Sequence, residues 1–222
     1  MSIALDSPGS DPPPVGSSAW WSRPILIPAA EDSDTATAQI IGEMSLRVHE
    51  SAADPAVCAA ARDATARFGR VFGRDPWSRI VEGAFSWPKH YLRFEHHELL
   101  LRRHIGPGHL QGLVSPDAVV RLPRPAGDCA IFSSLIAAFL ECQRVGWEFV
   151  TVAVNPRERD VYSHVYVYAI RPAGERIAVD ASHGRYVGWQ VPSRDVFRRQ
   201  VWNSAGSPVP DQGSRFAGLH AY

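Results

Sequence analysis

Hydrophobic residues in the second quarter of the chain recur at the spacing of α-helices. Apolar side chains follow Asp54-Pro55 at intervals of three and four residues as far as Gly73, and a similar pattern follows Asp75-Pro76. Aspartate followed by proline is typical of a helix N-cap and its first helical position, and glycine is typical of a helix end. The sequence therefore predicts two consecutive helices, the second ending at Pro88.

The pattern changes in the second half of the chain. A helical turn is predicted after Ser115-Pro116, and the stretch from Cys129 to its expected end at Gly146 is apolar on nearly every side, as in a buried central helix. The period then falls from 3.6 to 2, which is typical of strands. Helices followed by antiparallel strands predict an α+β domain. The predicted strands run from Trp147 to Val154, Ser163 to Ile170 and Arg176 to Ala181.

The two ends of the chain have a different composition. Ser, Pro, Gly and Asp dominate residues 1–19, so we expect this segment to be disordered on its own. Trp20-Trp21 and the apolar run after Pro24 predict docking, either on the same domain or on a neighbouring chain. The expected organisation is an N-terminal arm over 1–45, a domain over 46–200 and a polar tail over 201–222.

Composition narrows the function classes. The 222 residues are 45% hydrophobic, and 23 basic residues balance 23 acidic ones. A chain of this size can bury a core without metal staples, and zero net charge argues against a nucleic-acid partner. The start lacks the basic and apolar regions of a secretory signal, and Ala130 to Leu140 is too short to span a bilayer. We expect cytoplasmic synthesis and no membrane partner.

The three cysteines form an odd set, which predicts no disulfide framework. Cys129 and Cys142, on one helix, would lie about 20 Å apart and could not bridge. Cys58 and Cys142 sit within apolar helical patterns and are interpreted as buried filler. No paired CxxC motif is present, so no zinc site is predicted.

Five histidines lie between residues 90 and 109. Imidazoles at helical spacing can converge on a metal, but no acidic residue stands at ligand spacing, and a solvated helix face and loop is the favoured interpretation. No calcium loop is present either, so neither a metal nor another cofactor is predicted. These histidines are His90, His96, His97, His104 and His109.

Cys129 occupies the position from which chemistry is expected. It lies in the first turn of the predicted central helix, after Asp128 as N-cap, where backbone N–H groups and the helix dipole stabilise a thiolate. The same N–H groups could bind the oxyanion of a tetrahedral intermediate. Gly127 is expected to leave room for a substrate backbone.

A histidine and an aspartate follow on two predicted strands. With a hairpin midpoint at Pro172, His164 and Asp180 are each eight residues away and would lie directly opposite on one face. Cross-strand neighbours are about 5 Å apart at Cβ, within reach of a carboxylate–imidazole hydrogen bond. Cysteine, histidine and aspartate in this order predict a nucleophile, a proton carrier and a group that orients it.

These residues carry a family resemblance. Gly127-Asp128-Cys129 opening a buried helix, then the segment from Ser163 to Val167, then Val179-Asp180, resembles the transglutaminase-like superfamily, more narrowly its short single-domain members in bacteria and tailed phages. The resemblance extends from Asp54 to Val191. It implies a papain-like fold with helices on an antiparallel sheet and the nucleophile at the N-terminus of the central helix. It also implies acyl chemistry through a thioester, with Cys129, His164 and Asp180 as catalytic triad.

The sequence departs from many of these relatives at two places. Ala130-Ile131 replaces acidic residues after the cysteine, and Ala181-Ser182 replaces a common Pro-Thr pair after the aspartate. Because of these two differences, the family pattern does not indicate how a substrate binds around the turn. The family's second oxyanion donor lies upstream of the cysteine, and Trp77, Trp87 and Tyr91 are the candidates. Groove walls are expected from three loops, Val114 to Pro125, Asn155 to Tyr162 and Arg185 to Gln190.

Two functions are compatible with these residues. The first is a thiol enzyme acting on a peptide or protein, with the acyl group passed to water or to an amine. The second is a structural or assembly protein on the same scaffold, such as a virion or tail component, whose N-terminal arm contacts a partner. The two do not exclude each other, since a virion-bound enzyme would satisfy both.

Overall fold

A computed structural model of the chain describes residues 25–27, 32–69, 75–96, 111–123 and 125–211. Helices pack on one face of a five-stranded antiparallel sheet, which confirms the predicted α+β class. No helix within the described ranges is long and apolar enough to cross a membrane.

The outer helices begin where aspartate side chains cap them. Asp32, Asp54 and Asp75 each accept hydrogen bonds from backbone N–H groups of the first turn that follows, which supplies partners for donors that a helix start leaves unpaired. The two predicted Asp-Pro starts are thereby confirmed. The helices are α1 (Ser33–Ala52), α2 (Pro55–Phe68), α3 (Pro76–Tyr91) and α4 (Pro116–Val120).

Two predicted helix ends differ. Helix α3 continues past Pro88 to Tyr91, because the N–H of Leu92 donates to the Pro88 carbonyl at 2.8 Å and extends the last turn. Pro88 has no N–H to donate, but its carbonyl can still accept the hydrogen bond that closes the last turn. Helix α2 ends at Phe68, and Gly73 lies outside the described residues.

The central helix, α5 (Cys129–Cys142), is buried at every position from 130 to 140. Its all-round apolar sequence is therefore matched by packing on all sides. The helix ends at Cys142 rather than at Gly146. Arg144 adopts the left-handed backbone conformation, with φ at 59°, and Gly146 already begins the next strand.

The five-stranded sheet contains the three predicted strands and two that were not predicted. The strands are β5 (Gly146–Ala153), β6 (His164–Ile170), β7 (Arg176–Val179), β8 (Arg198–Trp202) and β9 (Pro208–Val209). Their order in the sheet is β7-β6-β5-β8-β9, with every neighbouring pair antiparallel. The segment Arg198-Arg199-Gln200 is polar and gives no strand signal, yet it pairs with β5 through backbone hydrogen bonds.

Both faces of this sheet are buried. Phe149, Val167 and Val179 pack into the main core with the helices. The opposite face forms a second core, because alternate residues of a strand point to opposite sides. This second core consists of Val150, Val152, Tyr166, Tyr168, Ala178 and Val201, with Val154, Val191, Val196 and Val209 packed against it.

Two short strand pairs complete the fold. Strand β1 (Ile25–Ile27) is antiparallel to β3 (Gln111–Leu113), so of the two docking options for the segment after Pro24, the structure shows pairing within the same chain. Strand β2 (Arg93–Phe94) is parallel to β4 (Ala126–Gly127). The second pair places β2 beside the start of the central helix.

The predicted domain limits at 46 and 200 do not match these elements. Helix α1 begins at Ser33, inside the predicted arm, and buries Ile41, Met44 and Val48 against the core. Strand β8 crosses residue 200, and Trp202 is buried. Helix α1 has a local start signal in the Asp32 cap, whereas the polar strand β8 is ordered by its pairing with β5. The predicted disorder of 1–19, the Trp20-Trp21 segment and the tail from residue 212 lie outside the described residues.

The prediction of no disulfide was wrong. Cys58 of α2 and Cys142 of α5 form a disulfide with a Cα–Cα distance of 5.2 Å, across 84 residues of sequence. The interpretation of both as buried filler was also wrong, since both are only half-buried. The packing of α2 against α5 brings the two sulfurs together. Cys129 remains a free thiol at the other end of α5, as the helix length requires.

Candidate active site

A cleft of about 250 Å³ opens at the N-terminal end of the central helix. It lies where α5 begins, β6 begins and the chain leaves β7. Cys129 and His164 line the same cleft, which is the juxtaposition that the predicted triad requires. The lining residues are Phe94, His96, Asp128, Cys129, Val154, Ser163, His164, His183, Trp189 and Val191.

The helix start that carries Cys129 is organised by Asp128. The buried Asp128 carboxylate accepts the N–H groups of Ala130 and Ile131, at 3.0 and 3.1 Å. Two of the donors that we expected to bind an oxyanion are therefore occupied by the cap. The N–H of Cys129 itself is the first-turn donor for which the Asp128 side chain does not compete.

Gly127 has a different purpose from the one predicted. A Cβ atom at this position would lie 2.7 Å from Ile131 Cγ2 and 2.8 Å from Ile131 Cβ. The absence of a side chain therefore allows the first turn of α5 to pack over Gly127, whereas we expected the space to admit a substrate backbone.

His164 and Asp180 meet as predicted, although by a different register. His164 Nε2 lies 2.8 Å from Asp180 Oδ2, and the two side chains are only 6% and 1% exposed. In the ladder Val167 is opposite Val179, so His164 is diagonal to Asp180 and not directly opposite. The connecting turn holds five residues, 171–175, and shifts the register by two. An even shift keeps both side chains on one face.

The Asp180 carboxylate is fixed on both oxygens. Oδ2 faces His164, while Oδ1 accepts the Ser182 N–H at 3.1 Å, the Ser182 hydroxyl at 2.8 Å and the His183 N–H at 3.0 Å. The turn is closed by Gly184, where a Cβ would lie 2.3 Å from the Asp180 carbonyl oxygen. Such a carboxylate can hold an imidazole in one orientation.

The charge states of the pair follow from its surroundings. Burial opposes protonation of His164, but hydrogen bonds and negative charge at Asp180 and Cys129 outweigh it and raise the His164 pKa. Burial also opposes ionisation of Asp180, but the His164 hydrogen bond and charge lower the Asp180 pKa. At neutral pH the pair is therefore an imidazolium and a carboxylate.

The second ring nitrogen of His164 is available to the thiol. His164 Nδ1 is buried and has no nitrogen or oxygen partner among the described residues. Since Nε2 is engaged by Asp180 and Cys129 lines the same cleft, Nδ1 is the nitrogen left to exchange a proton with the sulfur.

His183 and His96 belong to the cleft and were missed in the sequence. The His183 ring centroid lies 4.6 Å from that of His164, with the rings at 75°. Burial and the His164 charge lower the His183 pKa. A histidine three residues beyond Asp180, in the turn before Gly184, was the available signal. The position of His96 depends on the pairing of β2 with β4, which the local sequence around His96 does not predict.

The predicted second oxyanion donors lie elsewhere. Trp77 Nε1 donates to the Ile170 carbonyl at 3.2 Å, at the far end of β6. Trp87 packs against Tyr91 with ring centroids 4.7 Å apart. None of the three lines the cleft, so none has the position that the role demands.

The predicted groove walls are confirmed in part. Trp189 comes from the predicted 185–190 segment, and Val154 and Ser163 flank the predicted 155–162 loop. The remaining wall is formed by Phe94 and His96 and not, among the described residues, by 114–125. Of the other clustered histidines, His90 lies on α3 against Phe68 and Tyr91, and His97, His104 and His109 lie outside the described residues.

Comparisons with known proteins give only distant structural likenesses. No family model and no curated protein matches the sequence. A candidate protease from Parabacteroides distasonis aligns at TM-score 0.47 and 13% identity, covering 78% of this chain and 30% of that one. A candidate cysteine protease from Cytophaga hutchinsonii aligns at 0.39 and 16%, covering 68% and 46%. A Rad4–Rad23 complex bound to a 6-4 photoproduct lesion aligns at 0.39 and 11%, covering 75% and 44%. This chain thus spans less than half of each.

Proposed function

We propose that this protein is a transglutaminase-like thiol enzyme that performs acyl transfer or amide hydrolysis on a peptide or protein. One observation carries the proposal: His164 is held by Asp180 at 2.8 Å on one nitrogen and lines the same cleft as Cys129. A nucleophile, a proton carrier and an orienting carboxylate are the groups that covalent acyl catalysis requires.

The proposed reaction begins with attack of the Cys129 sulfur on a substrate carbonyl carbon. Proton exchange with His164 leaves a thiolate, and the imidazolium then protonates the leaving amine as the thioester forms. Asp180 stays ionised and stabilises the imidazolium. The Cys129 N–H is a suitable donor for the oxyanion, because the cap occupies the next two N–H groups.

The walls of the cleft favour an apolar group next to the scissile bond. Phe94, Val154, Trp189 and Val191 line the cleft together with Cys129, and an apolar lining with a few convergent polar groups is typical of ligand sites. The proposal includes both water and an amine as the acyl acceptor. Incubation with glutamine-containing peptides and a fluorescent primary amine separates them, since a transferase incorporates the amine and a hydrolase releases the free acid.

Thiol labelling tests the nucleophile directly. Iodoacetamide at pH 7 should modify Cys129 in the native protein, at least tenfold faster than a model thiol, because an imidazolium held by a carboxylate stabilises the thiolate. Mass spectrometry of the digested protein locates the label. Cys58 and Cys142 are disulfide-bonded and should stay unlabelled until the protein is reduced.

Two substitutions provide the contrast. His164→Gln should remove most of the enhanced labelling rate, while His90→Gln, on the exposed side of α3, should leave it unchanged. Cys129→Ala should abolish turnover of any amide substrate, a loss on the order of 10⁴-fold or more. Labelling of Cys129 at the rate of a model thiol, or turnover that survives Cys129→Ala, would refute the proposal.

Membership of the phage-type branch and an assembly role through the N-terminal arm stay predictions. The assembly hypothesis depended on the start of the chain, the Trp20-Trp21 segment and the polar end from Ser204 to Tyr222. Of these segments, residues 1–24 and 212–222 lie outside the described residues. Co-purification and size-exclusion chromatography of the full chain test that role.

A further inference from the structure

Three potential metal ligands meet at the edge of the cleft. One ligand atom from each of His164, Asp180 and His183 lies within 4.8 Å of the other two. Two imidazoles and one carboxylate form a donor set that suits Zn²⁺ and other first-row transition metals. His164 and Asp180 belong to the proposed triad, whereas the His183 side chain has no role in that reaction.

The hydrogen bonds around His183 prepare it as a ligand. The single proton of the Ser182 hydroxyl goes to Asp180 Oδ1 at 2.8 Å. Ser182 Oγ must therefore accept from His183 Nδ1, 3.0 Å away, which places the His183 lone pair on Nε2. Metal-bound histidines are typically oriented in this way, with the other ring N–H donated to a second group.

The spacing also fits a small cation. Zinc bonds of about 2.0–2.1 Å place tetrahedral ligand atoms about 3.3 Å apart, and the His164–Asp180 pair is already at 2.8 Å. His183 is exposed and lines the open side of the cleft, so rotation of its side chain can close the remaining distance. A fourth coordination position would face the cleft.

We propose that His164, Asp180 and His183 form a binding site for Zn²⁺ or a similar transition-metal ion, and that this ion inhibits the thiol chemistry. The inhibition rests on the proposed function, whereas the binding does not. The ion takes the place of the proton on His164 Nε2, which is released to solvent. The bound ion lies at the cleft that Cys129 also lines, so the ion and the ligand in its fourth position obstruct the approach of a substrate or an alkylating agent to the sulfur.

Metal titration of the full chain tests the binding. Isothermal calorimetry with Zn²⁺ on the Cys129→Ala protein should show one site, because the sulfur is not part of the donor set. Adding His183→Gln should weaken binding at least tenfold, and His90→Gln should serve as a matched control with no change. Co²⁺ should give visible absorption bands in Cys129→Ala that disappear with His183→Gln. Binding that is lost with Cys129→Ala, or retained with His183→Gln, would overturn the proposal.

Labelling tests the inhibition. Zn²⁺ should slow alkylation of Cys129 by iodoacetamide more than tenfold, and the ratio of rates with and without Zn²⁺ should return towards one in His183→Gln. If Cys129 is unreactive without metal, the thiol-enzyme proposal fails, while the calorimetry still decides the metal site. If the site binds Zn²⁺ and the labelling rate does not change, the inhibitory role is refuted.

Discussion

The two ends of the central helix carry the same residue type in opposite chemical states. At the N-terminal end Cys129 is a free thiol that lines an open cleft beside His164. At the C-terminal end Cys142 is bonded to Cys58. The sequence distinguishes Cys129 by the Asp128 N-cap before it, but it does not show that Cys142 is bonded to a distant cysteine.

The difference lies in what packs against each end. Around Cys142 the helix is clamped to its neighbours: Gln143 accepts from the Thr65 hydroxyl at 2.9 Å, and Glu141 accepts from Trp147 Nε1 at 2.9 Å. Next to Cys129, the Asp128 side chain caps the start of the helix, and Cys129 lines the cleft. The C-terminal end of the helix is thus bonded to its neighbours, whereas the N-terminal end borders a cleft.

Breaking the anchored end should have the largest effect on stability. The double substitution Cys58→Ser and Cys142→Ser releases a loop of 84 residues. The free energy of unfolding should fall by about 3–5 kcal/mol, because the unfolded chain regains loop entropy. Urea unfolding measures this loss, and the alkylation rate of Cys129 in native buffer should change less than about twofold. Reduction of the wild-type protein should reproduce the loss; a change below about 1 kcal/mol would contradict it.

Beside the N-terminal end of the central helix, Asp180→Asn should lower the free energy of unfolding by about 3 kcal/mol at pH 7, because a buried imidazolium loses its counter-charge. The folded Asp180 pKa is lowered from 3.8, so its stabilisation is present above pH 4 and is lost as the pH falls through the folded value. The His164 pKa is raised from 6.5, so its contribution is present below pH 6.5 and is lost as the pH rises through the folded value.

Urea unfolding of both proteins across pH 2.5–9 measures this dependence. The difference in free energy of unfolding between wild type and Asp180→Asn should be largest between about pH 4 and 6.5. It should shrink as the pH falls below about 4, because the carboxylate of the unfolded chain takes up a proton first. A difference that stays constant down to pH 2.5 would show that the ion pair is not its source.

The smallest effect is expected at the cap. Asp128→Ala removes the acceptor for two N–H groups of the first turn and should lower the free energy of unfolding by about 1–2 kcal/mol. Asp128→Asn keeps an acceptor oxygen and should retain most of that stability. Thermal unfolding distinguishes them; equal losses for both variants would assign the effect to charge rather than to capping.

Much of the fold could be predicted because its signals are local. Asp54-Pro55 and Asp75-Pro76 mark helix starts within one turn, and the change of period after Gly146 marks strands. Strand β8 could not be predicted, because its order comes from backbone pairing with β5 and not from its polar side chains. Helix α1 has a local start signal, since Asp32 caps it and Ile41, Met44 and Val48 recur at helical spacing, but we did not predict it.

The residues of the candidate site also differ in whether local sequence patterns predict their positions. The position of Cys129 behind an N-cap, and the strand positions of His164 and Asp180, follow from patterns a few residues long. The entry of His183 and His96 into the cleft depends on a turn and on a strand pair that the local pattern does not specify.

The sequence by itself determined which residues could be nucleophile, proton carrier and orienting carboxylate, because capping and side-chain alternation act over short distances. Only the tertiary structure decided which cysteine stays free, which backbone N–H groups remain available and which imidazoles share the cleft. Those outcomes depend on contacts between distant segments, and their geometry is fixed when the whole core packs.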